Sequence, residues 1–175
     1  AGAGGHAGTQ SPFALVQEIR EWFDGPILLS GAIANGAAVL AAQAMGADLA
    51  YIGSAFIATH EARASEAYKA AVVAGAADDI IYTNLFTGVH GNYLRASVVA
   101  AGLDPEDLPQ SDPSAMNFGS DRPVKAWKDI WGSGQGIAAV KSVVGAGELV
   151  ERLIREYQEA WRRLQSLQRP PSQGG

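Results

Sequence analysis

The chain has 175 residues, 47% of them apolar and 18% charged, with a formal net charge of −5 and no cysteine. That supports one packed domain, or part of a larger one, and argues against disorder. The mild acidity has no basic counterweight, which disfavours nucleic acid as a partner. No apolar run reaches the ~18–20 residues of a membrane span. Without cysteine there is no disulfide scaffold, thiolate metal site or thiol chemistry. Neither a basic n-region nor an apolar h-region opens the chain, so no secretory signal is visible and the expected compartment is the cytoplasm. It opens on a glycine loop, AGAGGHAG, without a starting Met; the expectation is a fragment of a longer product.

Residues 11–23 read as a helix, with Ser11 as cap, Pro12 at the first turn and Phe13, Val16, Ile19 and Phe23 at helical spacing. The run PILLS (26–30) reads as a strand buried on both faces. An Ala-rich helix over 35–46 and a second buried strand over 48–53 follow. A helix over 65–74 and a weaker strand over 80–83 come next. This βα alternation points to a parallel sheet with helical crossovers. Two or three parallel strands cannot cover both their faces, so the arrangement reads as part of a larger α/β barrel or open sheet. Residues 91–101 suggest a helix. Residues 103–123 are polar and carry Pro105, Pro109, Pro113 and Pro123. A short helix over 135–142 and the clearest helix of the chain, 146–167, complete the pattern. Val150, Leu153, Tyr157, Trp161 and Leu164 form its apolar stripe, read as core contact rather than a partner face. The divisions are 1–84 (βα units with phosphate-binding loops), 85–144 (a helical and loop excursion or cap), 145–168 (the C-terminal helix) and 169–175 (a flexible tail).

Three glycine turns could carry chemistry. Gly4-Gly5-His6-Ala7-Gly8 would let backbone approach a ligand while holding an imidazole exposed; otherwise it is a flexible terminus. Ser30-Gly31-Ala32-Ile33-Ala34-Asn35-Gly36 lies between a strand and a helix, where N–H groups and the helix's positive end suit phosphate. Gly53-Ser54 ends the next strand, and (β/α)8 barrels often build phosphate sites from two consecutive late loops. Such loops also use glycine for plain geometry. Gly132-Ser133-Gly134-Gln135-Gly136, flanked by Trp127 and Trp131, either lines a flat aromatic ligand or is a connector beside packed indoles. His90 reads as structural, at a helix start, and His60 has no visible partner. The three histidines lack metal-ligand spacing, so no metal is expected.

Taken together, AGGHAG (3–8), LSGAIANG (29–36), AMGAD (44–48), YIGSAFIAT (51–59) and GSGQG (132–136) resemble the nitronate monooxygenases, also called 2-nitropropane dioxygenases. These are FMN-dependent TIM-barrel oxidoreductases. The order and spacing match the family's C-terminal half over most of residues 1–167. The resemblance implies an α/β fold that is the C-terminal part of an FMN-binding TIM (β/α)8 barrel with a C-terminal helical or cap extension, its earlier strands belonging to an absent N-terminal half. It implies His6 as the catalytic histidine and Gly4 beside the flavin. Gly31 and Ala32 fall where the family usually has Gly-Gly on the FMN phosphate; with alanine there, that backbone contact requires a negative φ. Tyr51, Ile52, Gly53 and Ser54 fall where Gln-Met-Gly-Thr is common, so Ser54 keeps the hydroxyl and Tyr51 departs from the usual Gln. Gln135 matches a residue near the flavin ring.

The implied reaction takes a small nitroalkane or nitronate and O2 to a carbonyl compound and nitrite, with His6 as base or anion-orienting group. Two other readings stay open: a flavin-dependent enoyl-acyl-carrier-protein reductase using NAD(P)H, and a non-catalytic half-barrel that serves assembly. An exposed strand edge favours association with the N-terminal half or with a second copy, giving a homo-oligomer.

Overall fold

A computed structural model describes residues 2–111 and 128–167. The predicted tail, the far part of the polar stretch and Trp127 lie outside the described residues. The elements run β1 (Gly5–His6), α1 (Pro12–Arg20), β2 (Leu28–Ser30), α2 (Gly36–Ala44), β3 (Leu49–Tyr51), α3 (Ser54–Ile57), α4 (Glu66–Ala74), β4 (Ile80–Thr83), β5 (Gly91–Leu94), α5 (Arg95–Ala100) and α6 (Ala146–Leu167), with 3₁₀ turns at Ala77–Asp79 and Gln135–Ala139.

The helix starts follow from local chemistry. The Ser11 and Ser65 hydroxyls and the Asn35 carboxamide oxygen each accept a hydrogen bond from an N–H of the first turn they precede. The end of α1 is tied to the sheet by Arg20. Its guanidinium donates to the carbonyls of Gly46 and Gly25 and lies 2.7 Å from an Asp48 carboxylate oxygen. That same oxygen accepts from Ile27 N–H at 2.7 Å.

β2 and β3 pair in parallel, Leu28 with Leu49 and Ser30 with Tyr51. One face packs on α1 and α2 through Val16, Ile27, Leu29, Ala42 and Ala47. The other is open: Leu28, Leu49 and Tyr51 are 55%, 56% and 64% exposed. The expectation of strands buried on both faces therefore fails among the described residues, because helices cover one side only. Phe13 and Phe23 of the predicted α1 stripe are likewise exposed, and Val16 alone is fully buried within α1.

The second sheet was not anticipated. It is antiparallel, in the order β1-β5-β4, with Gly5 opposite Asn92 and Thr83 opposite Gly91. The predicted helix over 91–101 is thus a strand, Gly91–Leu94, followed by a helix, Arg95–Ala100. His90 precedes a strand rather than a helix, and the strand at 80–83 joins this antiparallel sheet rather than extending the parallel one. The two sheets form no closed barrel among the described residues.

A larger core joins α3, α4, the second 3₁₀ turn and α6 through Ala55, Val72, Leu94, Ile137 and Leu149. α6 crosses α2 at Gly36, where a Cβ would sit 2.2 Å from the Leu153 carbonyl oxygen and the Tyr157 nitrogen. Leu149 is buried and Leu153 packs against that core, whereas Val150, Trp161 and Leu164 stay exposed. Only part of the predicted α6 stripe therefore makes core contact.

Candidate active site

Because Ser30 and Tyr51 are in register, the turns after β2 and β3 leave the same sheet edge side by side. In open and barrel-type parallel sheets that carboxyl edge is where ligands bind. Here it opens into a cavity of about 400 Å³. Much of its wall comes from residues within four stretches of chain: 2–5, 30–34, 51–54 and 130–136. Glycine is needed for them to meet. A Cβ on Gly4 would lie 2.9 Å from the Ser133 backbone, and one on Gly136 would lie 2.8 Å from the Ala32 backbone.

Among the residues expected to hold a cofactor, Gly4, Gly31, Ala32, Tyr51, Gly53 and Ser54 line this cavity. Ile52, Gln135 and His6 do not. Ile52 packs against the large core, as the residue between two cavity-facing neighbours on an extended segment must. Gln135 uses its N–H on the Gly2 carbonyl at 2.9 Å.

Two parts of the anticipated phosphate site are already engaged. Ala32 has φ +55° and donates its N–H to the Gly2 carbonyl at 3.2 Å. The negative φ required for its contact is therefore absent, and the turn holds an L residue in the left-handed region at a cost of about 1–2 kcal/mol. The α2 terminus is also taken. Gly36 N–H donates to Glu156 Oε2 at 2.9 Å and Ala38 N–H to Asn35 Oδ1 at 2.8 Å. Arg152, one turn before Glu156 on α6, reaches the Ala34 carbonyl at 3.4 Å. The carboxylate of Glu156 compensates the helix dipole that a phosphate was expected to use.

The Gly53-Ser54 turn is less obstructed. A Cβ on Gly53 meets nothing within 4 Å. Ser54 Oγ accepts from Gly134 N–H at 2.8 Å, which ties the GSGQG loop to the strand end and leaves the hydroxyl its own proton to donate. Among the described residues, no Asp or Glu lines the cavity. A dianion held by N–H and O–H donors is compatible with that wall, and a cation is not favoured by it.

An aromatic pair closes one side. Tyr68 stacks on Trp131 with centroids 5.0 Å apart, and its hydroxyl donates to the Gly132 carbonyl. Burial pushes the Tyr68 pKa up to about 12, so it remains a donor across the physiological range. Trp131 lines the cavity with one face covered by Tyr68, so the GSGQG segment borders both the cavity and a packed indole.

His6 stands outside this cavity on β1. Its Nε2 lies 2.8 Å from Thr87 Oγ1, and its backbone partner across the ladder is Gly91. Ala7 is held on both sides: its N–H donates to the His90 carbonyl at 3.3 Å, and its carbonyl accepts from the Tyr82 hydroxyl at 2.9 Å. The His90 ring stacks on Tyr82, so His90 supports the loop of His6. Tyr93 is buried near Thr87; burial raises its pKa and the Thr87 hydroxyl offsets part of the rise. The roles of Thr87, Tyr68 and Glu156 escaped the sequence reading. The hydrophilic Thr87 inside FTGVH was the one local signal available.

Comparison with known proteins follows the same segments. The family model described as nitronate monooxygenase matches residues 1–156. A nitronate monooxygenase of Paraburkholderia phytofirmans is 31% identical over 94% of this chain and 49% of its own length. The chain therefore spans about half the length of that curated relative. Among solved structures, nitroalkane oxidase from Streptomyces ansochromogenes is 29% identical with a TM-score of 0.71, covering 93% of this chain and 51% of that one. FabK from Thermotoga maritima, as its M276A mutant, superposes with a TM-score of 0.70 at 22% identity over 94% of this chain and 52% of that one, a likeness of fold.

Proposed function

This chain belongs to the nitronate monooxygenase family, an oxidoreductase family, and from that membership we propose that it is the phosphate-binding part of an FMN-dependent TIM barrel. The proposed reaction takes alkyl nitronates or nitroalkanes and O2 to carbonyl compounds and nitrite. The observation that carries it is the carboxylate-free, glycine-walled cavity at the shared end of β2 and β3. The open face of Leu28, Leu49 and Tyr51 is where the remaining strands of such a barrel would pack.

The FMN phosphate would be held by the Gly53-Ser54 turn, with Gly31 beside it, and Gly4 would allow the flavin close to the backbone. The chemistry that FMN supplies when bound is acceptance of electrons from a nitronate and their delivery to O2. His6 takes the proton from the carbon bearing the nitro group, converting a neutral nitroalkane to its nitronate and becoming imidazolium. Tyr68 and Trp131 keep water from one side of the cavity.

The test is a paired assay on the purified protein with FMN: nitrite release with O2 uptake from propyl-2-nitronate, and NAD(P)H oxidation with an enoyl thioester. Nitrite formation coupled to O2 uptake supports the reading. Enoyl-dependent NAD(P)H oxidation without nitrite would replace it with a reductase, and absence of both would leave a non-catalytic module.

A further inference from the structure

We propose that Glu156 and Arg152 of α6 are positioning residues for the turn after β2. They hold residues 34–36 so that Ala32 keeps its left-handed backbone and Gly31 stays beside the phosphate. This rests on the phosphate reading above. Among the described residues Ala32 is the one non-glycine with a positive φ, +55°. Such a residue persists only where its surroundings over-determine it, so contacts on both sides of the turn must supply the restraint. On the N-terminal side, Ala32 N–H donates to the Gly2 carbonyl at 3.2 Å. The Ala32 backbone also lies so near Gly136 that a Cβ there would sit 2.8 Å from the Ala32 carbonyl. On the C-terminal side the restraint comes from α6. Glu156 Oε2 accepts from Gly36 N–H at 2.9 Å, and Arg152 Nη2 donates to the Ala34 carbonyl at 3.4 Å.

The two α6 side chains act as one clasp. They lie one turn apart, with Arg152 Nε 3.6 Å from Glu156 Oε1, and are 24% and 32% exposed. Partial burial leaves such a pair less screened by salt than a surface pair, and a carboxylate is a stronger acceptor for N–H than a neutral oxygen. Their backbone is anchored at the same place. α6 meets α2 at Gly36 through Leu153 and Tyr157, the residues that follow Arg152 and Glu156. Ala34 transmits the hold: it is 3% exposed, lines the cavity and gives its carbonyl to α6. With the clasp open, Ala32 is free to relax to negative φ. That rotation takes its N–H off Gly2 and displaces Gly31 from the cavity edge.

The experiment compares equilibrium binding of FMN and riboflavin, with amide hydrogen exchange read by NMR. The samples are the purified protein, Glu156→Gln, Glu156→Met, and the double variant of Glu156→Met with Ala32→Gly. Gln and Met carry the same charge, and only Gln can accept from Gly36 N–H. The preference for FMN over riboflavin should survive in Glu156→Gln. It should fall about 5–30-fold in Glu156→Met, the ratio set by the cost of a left-handed L residue that must be re-formed on binding. Glycine adopts positive φ without that cost, so adding Ala32→Gly should recover most of the preference. A general loss of structure would weaken both flavins alike and would not be repaired at Ala32. Exchange at the Ala32 amide should accelerate together with exchange at Gly36 in Glu156→Met. The proposal is overturned by an equal FMN preference in Glu156→Gln and Glu156→Met, by no recovery with Ala32→Gly, or by an Ala32 amide that stays protected when Gly36 opens. Glu156→Ala, a strong helix former, makes the same comparison if Glu156→Met does not fold. If the unmutated protein shows no preference for FMN, the phosphate reading fails and exchange at Ala32 alone decides the clasp.

Discussion

Replacing Gly53 by Asp separates anion binding from folding. Gly53 has φ −111° and ψ −60°, a backbone that does not call for glycine, and a Cβ there meets nothing within 4 Å. It is also the N-cap of α3, where Asp is among the favoured residues, so the fold should be retained. The new carboxylate would stand where the phosphate is proposed to sit. At ~4 Å, one pair of like charges costs about 1 kcal/mol in bulk water and about 4 kcal/mol at the effective dielectric of a protein surface, and a phosphate dianion roughly doubles either value. The lower bound, about 2 kcal/mol, already weakens binding about 30-fold. FMN titration followed by flavin fluorescence measures it, with Gly53→Asn as the neutral control of similar size. Affinity unchanged in both variants would refute the assignment of the phosphate to this turn, and equal losses in both would trace the effect to bulk.

His6→Asn should keep its flavin and lose ~10²–10⁴-fold of its turnover of neutral nitroalkanes, with preformed nitronate much less affected; equal loss on both substrates would make His6 an anion-binding group, and no loss would remove it from the reaction. Gly36→Ala forces a Cβ to 2.2 Å from the α6 backbone, where neither helix can yield by a side-chain rotation; the expected cost is about 3 kcal/mol, at the upper end for overpacking, or roughly 6–12 °C in Tm, and an unchanged Tm would show that α2 and α6 cross elsewhere. Asp48 is held below its ordinary carboxyl pKa first by Ile27 N–H and then by Arg20. A depressed folded-state pKa stabilises above the unfolded value and is lost as pH falls through the folded one, so Tm should drop more steeply below about pH 4 in the unmutated protein than in Asp48→Asn.

Much of the local structure was readable because its causes are local. Ser11-Pro12, Asn35 and Ser65 announce their helices, and the periodicity of α6 gives 146–167, the span observed. The misses are all long-range. GNYL becomes a strand because β4 and β1 flank it, and nothing within 91–101 distinguishes that from the start of a helix. The engagement of the α2 terminus comes from Glu156, 120 residues away, and the partner of His6 lies 81 residues away. Of the glycine turns 4–8 and 132–136, Gly4, Gly5, Gly132, Gly134 and Gly136 line the cavity, and at Gly4 and Gly136 close backbone approach restricts the residue type itself. Which N–H groups remain for a ligand is decided by contacts between those segments, as the bond from Ala32 to Gly2 illustrates.

The most direct measurement compares FMN with riboflavin, which lacks only the phosphate, in equilibrium binding to the purified protein. If the turns after β2 and β3 hold the phosphate, FMN should bind at least about 30-fold more tightly, the equivalent of about 2 kcal/mol, and the preference should collapse in Gly53→Asp. Equal affinity for the two flavins in the unmutated protein would contradict a phosphate site at this sheet edge.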